Sequence, residues 1–342
     1  MTNSIFDKQQ LSALFEELNK VNSILIFGHK SPDGDSIGST LGLFHYLKNK
    51  GIKSQVIHPD NYPGFLKWMP ENESMLIFDK KKKEVTELIE KADVIFTLDF
   101  NDQTRVGNEL GKLIANATCT KVMLDHHQEP GDYAKYTFSD VKSCSTCQLV
   151  YELIEANEDL DLIDVNTGNC IYTGLLTDTG SFRFPATTPK THLIAADLME
   201  RGVNHSQIHE HIQDINTTDR LRLLGYTLNN KLEVLPEIKT AIVSLTMQEM
   251  KDHNTLKGYT EGFVNMALSI LGVEVAVFVK EDEKIVKLSF RSKGDIPVNE
   301  FSKAHFGGGG HINAAGGASQ LSVQETIDKI KKELPAFLEQ NK

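Results

Sequence analysis

Apolar residues in the first half of the chain gather into short unbroken runs, each followed by a polar stretch with helical spacing. SILIFGH (23–29), KSQVIHPD (53–60), ADVIFTLDF (92–100) and TKVMLDHH (120–127) read as strands. They are rich in Ile, Val and Leu and lack polar alternation, as strands buried on both faces do. DKQQLSALFEELNK (7–20) and SIGSTLGLFHYLKNKG (36–51) read as helices, the second with Ser near its start and Gly at its end. CIYTGLLTDTGSFRF (170–184) is helix-compatible at first and extended at its end. Strands alternating with helices predict an α/β fold, a doubly wound and mostly parallel sheet, over residues 1–190.

The pattern then changes. Residues 191–230 are polar and helical, with Gly202 as punctuation, and read as a helical connector. Its His205, His209 and His211 are expected in solvent. Residues 231–342 predict a smaller α+β domain. KLEVLPEIKTAIVSL (231–245) reads as a hairpin, TEGFVNMALSIL (260–271) as a helix and VEVAVFVKEDEKIVKLSFRS (273–292) as a second hairpin.

A chain of 342 residues suits such a two-domain division. The net charge of −11 argues against tracking long nucleic acid, which needs a basic face. The basic run Lys80–Lys83 is flanked by Asp79 and Glu84 and reads as a solvated helix face. No apolar run approaches a membrane span and the N-terminal residues do not read as a secretory signal, so the expectation is cytoplasmic, with no membrane partner. Cys144-Ser-Thr-Cys147 has redox spacing, yet no second pair accompanies it. The helical QLVYELIEAN (148–157) follows, so the cysteines read as small residues at a helix start.

Candidate chemistry collects where the apolar runs stop. His29 follows ILIFG, Asp99 follows VIFTL, and Asp125-His126-His127 follow KVML. Parallel strands bring such ends to one edge, where ligands bind in open α/β sheets. The turn GHKSPDGDSIGS (28–39) adds Asp33 and Asp35, and LLTDTGSF adds Asp178. The helix following that turn is expected to start near Ser36 and to favour a phosphate oxygen at its N-terminus. Carboxylates brought together repel unless cations neutralise them. Carboxylate oxygens mixed with imidazole, without thiolate, suit Mn²⁺ best, with Mg²⁺ or Co²⁺ as substitutes. Six such side chains exceed the needs of one ion and fit two, the device for in-line attack on phosphorus.

The order His-x3-Asp-x-Asp, Asp99, Asp125-His126-His127, Asp178 resembles the DHH phosphoesterase family, and is similar to the manganese-dependent inorganic pyrophosphatases that share its catalytic domain. The resemblance implies two Mn²⁺ ions. His29, Asp33 and Asp99 would hold one, and Asp35, Asp99, His126 and Asp178 the other. Asp125 would orient an imidazole, and His127 would face the substrate phosphate. Arg105, in DFNDQTRVG, would reach the phosphate or serve as a structural ion pair. FGGGGHINAAGG (306–317) reads as too glycine-rich for a helix or strand interior. Its Gly308, Gly309 and Gly310 would let backbone N–H groups approach an anion, with His311 and Asn313 adding donors. Arg291, Ser292 and Lys293 end the preceding hairpin and suit phosphate or base contacts. This combination resembles the DHH-associated C-terminal domain of two-domain nanoRNases. Those enzymes cleave very short RNA oligonucleotides and dephosphorylate 3′-phosphoadenosine-5′-phosphate. The implied partners are short oligoribonucleotides and phosphorylated nucleotides, with no long duplex; a homodimer is compatible. The competing readings are a cyclic dinucleotide phosphodiesterase and a non-catalytic nucleotide sensor.

Overall fold

The computed structural model describes residues 5–341 except 257. The chain forms two compact units, Met1–Ile215 and Asn216–Lys342.

In the first unit the elements run α1 (Lys8–Leu18), β1 (Ile24–Phe27), α2 (Gly34–Asn49), β2 (Gln55–His58), β3 (Leu76–Ile77), α3 (Lys82–Glu90), β4 (Val94–Leu98), α4 (Asn108–Asn116), β5 (Thr120–Asp125), β6 (Tyr136–Ser139), α5 (Thr146–Ala156), α6 (Val165–Asp178), α7 (Pro189–Glu200) and α8 (His205–Gln213). The strands pair in parallel in the order β3-β2-β1-β4-β5-β6. Successive residues of a strand point to opposite faces. Leu25, Phe27, Ile57 and Ile95 therefore pack with Val85, Ile89, Leu110 and Ile114 of α3 and α4. Ile24, Ile26, Val94 and Phe96 pack on the other face with residues of α1, α2, α5 and α6. Burial on both faces is why these strands carry no polar alternation. The adjacent strands β1, β4 and β5 run directly into His29, Asp99 and Asp125–His126 at their carboxyl ends.

Contact between α2 and α6 is close because it is made by small residues. A Cβ at Gly38 would lie 2.6 Å from the Cys170 carbonyl oxygen, and one at Gly34 2.4 Å from Thr177 Oγ1. From the α6 side, a Cβ at Gly174 would lie 2.6 Å from Asp35 Oδ1 of α2. The expected extended end of residues 170–184 is absent. α6 continues to Asp178, and Gly180, Ser181 and Phe182 then take left-handed φ values of 56°, 63° and 62°.

The segment expected as a connector divides between the units. Ile194, Ala195 and Leu198 of α7 and Ile208 of α8 are buried in the first unit's core. The apolar positions of these helices are few but regularly spaced, enough to dock them. His205 is exposed as expected, whereas His211 stacks on Trp68 with ring centroids 4.7 Å apart.

The second unit contains α9 (Thr218–Asn230), β7 (Leu232–Leu235), β8 (Thr240–Leu245), α10 (Met247–Asp252), α11 (Phe263–Leu268), β9 (Val275–Glu281), β10 (Val286–Ser292), α12 (Val298–Phe306), β11 (Gly309–His311), β12 (Ala314–Ser319) and α13 (Val323–Gln340). Its sheet has the order β11-β12-β10-β9-β8-β7, with β8 and β9 parallel and the other pairs antiparallel. One face buries Val277, Leu288 and Phe290 with residues of α12 and α13, including Phe301 and Ile330. The other buries Ala276 and Phe278 with Phe263 and Ala267 of α11.

The glycine run corrects the expectation that it could not be strand. β11 and β12 pair antiparallel, and β12 pairs with β10. Glycine is required here by close approach: a Cβ at Gly308 would sit 1.8 Å from the Gly316 carbonyl oxygen. At Gly310, φ is +139° and a Cβ would meet the Ala314 carbonyl oxygen at 2.4 Å.

These packing observations predict opposite outcomes for two glycine-to-alanine changes inside helices. Gly38→Ala should destabilise the protein by about 1–3 kcal/mol, as overpacking does. Gly225→Ala, in α9 with open space around it, should gain up to about 1 kcal/mol from helix propensity. Urea unfolding of each variant measures both effects.

Candidate metal centre

The carboxyl ends of β1, β4 and β5 and the ends of α2 and α6 converge on one cluster, buried except for Asp33. His29 Nε2 lies 3.3 Å from Asp99 Oδ2 and 3.9 Å from Asp33 Oδ1. His126 Nε2 lies 3.5 Å from Asp99 Oδ1, 3.8 Å from Asp35 Oδ2 and 3.3 Å from Asp178 Oδ2. The donor atoms of His29, Asp33 and Asp99 form one group compact enough for a cation, and those of Asp35, Asp99 and His126 form another. Asp99 belongs to both.

The histidine tautomers follow from their backbone partners. His29 Nδ1 is 2.9 Å from the Lys30 carbonyl oxygen, and His126 Nδ1 is 3.3 Å from that of Ser143. A carbonyl only accepts, so each Nδ1 carries the proton and donates it. In the neutral ring each Nε2 then turns a lone pair toward carboxylate oxygens. Lone pairs that face one another at this distance need a proton or a cation between them.

Proton affinities report the same tension. Burial works against a charged His29, but the hydrogen bond to Asp99 and the charges of Asp33 and Asp99 raise its pKa to about 9. Burial, then the charge of Asp99, pushes Asp35 up to about 8. Asp178 rises for the same reasons, burial first and Asp35 second. Burial opposes the Asp99 charge, yet His126 and His29 hold its carboxyl well below the ordinary range. A donor set of carboxylates and imidazole Nε2 atoms that must otherwise retain protons fits divalent cations, and the oxygen-rich composition suits Mn²⁺ or Mg²⁺.

Each ligand is held by local structure. Asp33 is the N-cap of α2, its Oδ1 accepting from the N–H groups of Asp35 and Ser36 at 3.1 Å. The helix starts at Gly34, near Ser36 as expected, and Asp33 takes the Asp35 and Ser36 donors of its first turn. Asp35, in the first turn, is wholly buried. Its two oxygens accept from the backbone N–H groups of Thr146 at 2.6 Å and Cys147 at 2.9 Å, at the start of α5. The Thr146 hydroxyl donates to Asp99 Oδ1 at 3.1 Å. Asp99 has φ +64°, a strained conformation for a non-glycine residue that aims its carboxylate back over the strand ends.

His127 adjoins the ligand groups, its Nδ1 3.8 Å from Asp99 Oδ1, and with Asp99 and Asp125 it makes a further compact set of donors. Its Nδ1 is 2.8 Å from Asp125 Oδ1, and its backbone N–H donates to Asp125 Oδ2 at 3.2 Å. Asp125, fully buried, thereby fixes the ring with Nε2 outward. That Nε2 is 3.4 Å from Nη2 of the exposed Arg105. Arg105 therefore lies beside His127, and among the described residues it has no carboxylate partner, contrary to the structural ion pair held open for it.

In the second unit, Arg291 and His311 are both paired across the sheet with Ala314. Directly opposed residues share a face, so the two flank a small methyl group on one surface. Arg291 Nη1 donates to the Phe290 carbonyl at 2.9 Å, and the remaining expected contacts also have partners within the unit. Asn313 Nδ2 donates to Ser292 Oγ at 2.9 Å and to the Gly294 carbonyl at 2.8 Å, and Lys293 Nζ donates to the Val273 carbonyl at 2.7 Å. Ser292 Oγ donates in turn to the Ile296 carbonyl at 2.7 Å. These side chains brace the turn after β10. Gly309 is open on its surface, whereas Gly308 and Gly310 are pressed against β12.

Sequence reasoning missed Thr146 and the Cys147 amide. The Ser145 N-cap was the available signal, since a capped helix start presents free N–H groups. It also missed His58, wholly buried with Nε2 3.0 Å from Thr40 Oγ1; nothing in QVIH marks it.

Comparison with known proteins bears on this site. The N-terminal domain model of the DHH family matches residues 23–175, and the DHHA1 domain model matches residues 239–340. The crystal structure of an exopolyphosphatase-related protein from Bacteroides fragilis superposes with a TM-score of 0.95 at 35% identity, covering 99% of this chain and 98% of that one. A bifunctional oligoribonuclease and PAP phosphatase, NrnA of Thermus thermophilus, is 28% identical over 90% of this chain and 87% of its own. The cyclic-di-AMP phosphodiesterase GdpP of Bacillus subtilis is 25% identical over 96% of this chain, a match spanning 50% of that protein.

The proton affinities generate a pH prediction for chelator-treated protein. His29 contributes stability that is complete below its unfolded pKa of about 6.5 and is lost as pH rises through about 9. Asp35 acts with the same sign, because the native carboxyl keeps its proton up to about 8 while the unfolded one has released it. The thermal midpoint should fall between about pH 6.5 and 9. Added Mn²⁺ should raise it, most strongly at the alkaline end. Thermal denaturation across this range, with chelator and with Mn²⁺, tests both statements.

Proposed function

The chain belongs to the DHH family, with its N-terminal domain and a DHHA1 domain, and is a phosphoesterase; we propose that it hydrolyses very short RNA oligonucleotides to mononucleotides and dephosphorylates 3′-phosphoadenosine-5′-phosphate. The observation that carries this reading is the sharing of Asp99 between two ligand groups at one sheet edge. His29, Asp33 and Asp99 would hold one Mn²⁺, and Asp35, Asp99, His126 and Asp178 the second. Bound there, the cations would supply Lewis-acid stabilisation of charge developing on the phosphoryl oxygens.

The remaining steps fall to side chains. Asp125 keeps the His127 proton on Nδ1 and its Nε2 outward, where it can hydrogen-bond a phosphate or a leaving oxygen. Arg105 offers in-plane N–H donors to the same phosphate, a charge-assisted contact. The α5 N-terminus holds Asp35 so that its carboxylate does not swing when substrate charge arrives. Arg291 and His311 of the second unit, which flank the small Ala314 on one surface, would be its substrate contacts. The similarity to the Thermus thermophilus oligoribonuclease and PAP phosphatase along most of both chains supports this substrate class. A second reading, hydrolysis of cyclic dinucleotides, is favoured by the similarity to the Bacillus subtilis phosphodiesterase over nearly the whole of this chain.

Substrate class is tested with the purified protein, Mn²⁺ and a panel of di- to pentaribonucleotides, 3′-phosphoadenosine-5′-phosphate, cyclic di-AMP and pyrophosphate. Specificity constants should be highest for the short RNAs and the bisphosphate. A higher value for cyclic di-AMP would select the second reading. Asp99→Asn should lose bound manganese and nearly all turnover while remaining folded, measured by metal analysis and circular dichroism. Asp125→Ala should be milder, with a loss of roughly 10- to 100-fold in rate or metal affinity, as expected for a group acting through another.

A further inference from the structure

The turn that leaves the cluster after Asp178 is built differently from other turns in the chain. Three consecutive residues, Gly180, Ser181 and Phe182, are left-handed, and two of them are not glycine. Strain of this kind persists only where the surroundings fix it, and here they do. The Phe182 N–H donates to Thr179 Oγ1 at 2.8 Å, and the Arg183 and Phe184 N–H groups both donate to the Thr179 carbonyl at 2.9 Å. Ser181 Oγ accepts from Gln213 Nε2 at 2.6 Å. Phe182 turns inward, its ring 5.9 Å from Tyr172 and 5.4 Å from His192 between centroids.

With Phe182 inward, the next two side chains form a stack. The Phe184 ring lies against Gly180, where any Cβ would be 2.5 Å from Cζ. The Arg183 guanidinium lies over that ring, 5.5 Å from its centroid. Arg183 is exposed and Phe184 half-buried, and among the described residues Arg183 has no carboxylate partner. This pair is anchored by hydrogen bonds to Thr179, the residue directly after Asp178, whose Oδ2 is 3.3 Å from His126 Nε2. A hydrophobic side chain tucked under a flat cation leaves the cation's outer face for a flat partner. A phosphate would instead take the in-plane N–H groups and would need no aromatic ring beneath them.

We propose that Arg183 and Phe184 form a stacking shelf for a nucleobase whose phosphate lies at the Asp99 cluster. The inference rests on the phosphoesterase acting on nucleotides, as read above, and assigns a base subsite within the first unit. Stacking accepts every base, because each has a π-face. Stacking on a planar cation reads no base edge, so the shelf should favour nucleotides over base-free phosphates without strong preference among bases.

The experiment compares an ordinary diribonucleotide with an analogue lacking its base next to the scissile phosphate, using the manganese-loaded full chain. Arg183→Ala and Phe184→Leu should each raise KM for the diribonucleotide by roughly tenfold to a hundredfold, the usual scale for stacking a base. The loss on the abasic analogue should be at least about fivefold smaller. Arg183→Lys keeps the charge but not the plane, so it should fail like Arg183→Ala. Full rescue by lysine, or equal losses on both substrates, would overturn the shelf. Binding of 2-aminopurine riboside 5′-monophosphate gives a readout independent of turnover. Its fluorescence should be quenched by the wild-type protein and far less by Arg183→Ala. If the wild type quenches but cleaves no oligonucleotide, the functional reading fails and the shelf stands. If it cleaves but does not quench, the shelf fails alone.

Discussion

Side chains as short as aspartate meet most readily from two helices whose backbones nearly touch, and α2 and α6 do so. Gly34 and Gly38 on one helix and Gly174 on the other occupy positions where a methyl group would strike a threonine side chain, a carbonyl oxygen or a cysteine sulfur. A Cβ at Gly174 would also lie 2.6 Å from Asp35 Oδ1. The seam therefore sets the distance between Asp35, in the first turn of α2, and Asp178, at the end of α6. It does so at an electrostatic cost, since burial and mutual charge push both carboxyls toward their protonated forms. Part of that cost is offset by the start of α5, whose two N–H groups grip Asp35, and the rest calls for cations.

How much of this was legible follows from the kind of signal each feature leaves. Strands buried on both faces must be continuously apolar, so a residue such as Asp99 or His126 at the end of a run marks itself. Parallel pairing then places these ends together without further information, and the sheet order of the first unit is what makes β1, β4 and β5 neighbours. Asp178 was legible as an acid leaving an apolar run, although the run is helix rather than strand. Backbone donors left no comparable trace. Thr146 and Cys147 contribute amides that any residue carries, and only the Ser145 cap announces where the helix opens.

The second unit shows the opposite failure. Glycine in series reads as a loop because strand propensity treats it as a missing side chain. At Gly308 and Gly310 the missing side chain is the requirement, since β11 is pressed against β12 and α12. Polar residues near a glycine run were likewise read as ligand contacts. In the structure Ser292, Lys293 and Asn313 also hydrogen-bond among themselves and to neighbouring carbonyls. Composition separates a polar side chain that points at a ligand from one that braces a turn only when the register is known. The pairing of Arg291 and His311 with the same alanine supplies that register.

The grip of α5 on Asp35 joins residues 111 positions apart in the chain. Such a contact forms only after a long stretch of chain has been closed, and closures of that kind come late on the folding route. Before it forms, Asp35 is a solvated acid beside Asp33, with no reason to prefer one cation over another. The order of events then becomes part of the design. The arrangement of donors around Asp35 does not exist until α5 docks. Any preference among cations would then be a property of the folded unit rather than of the emerging polypeptide.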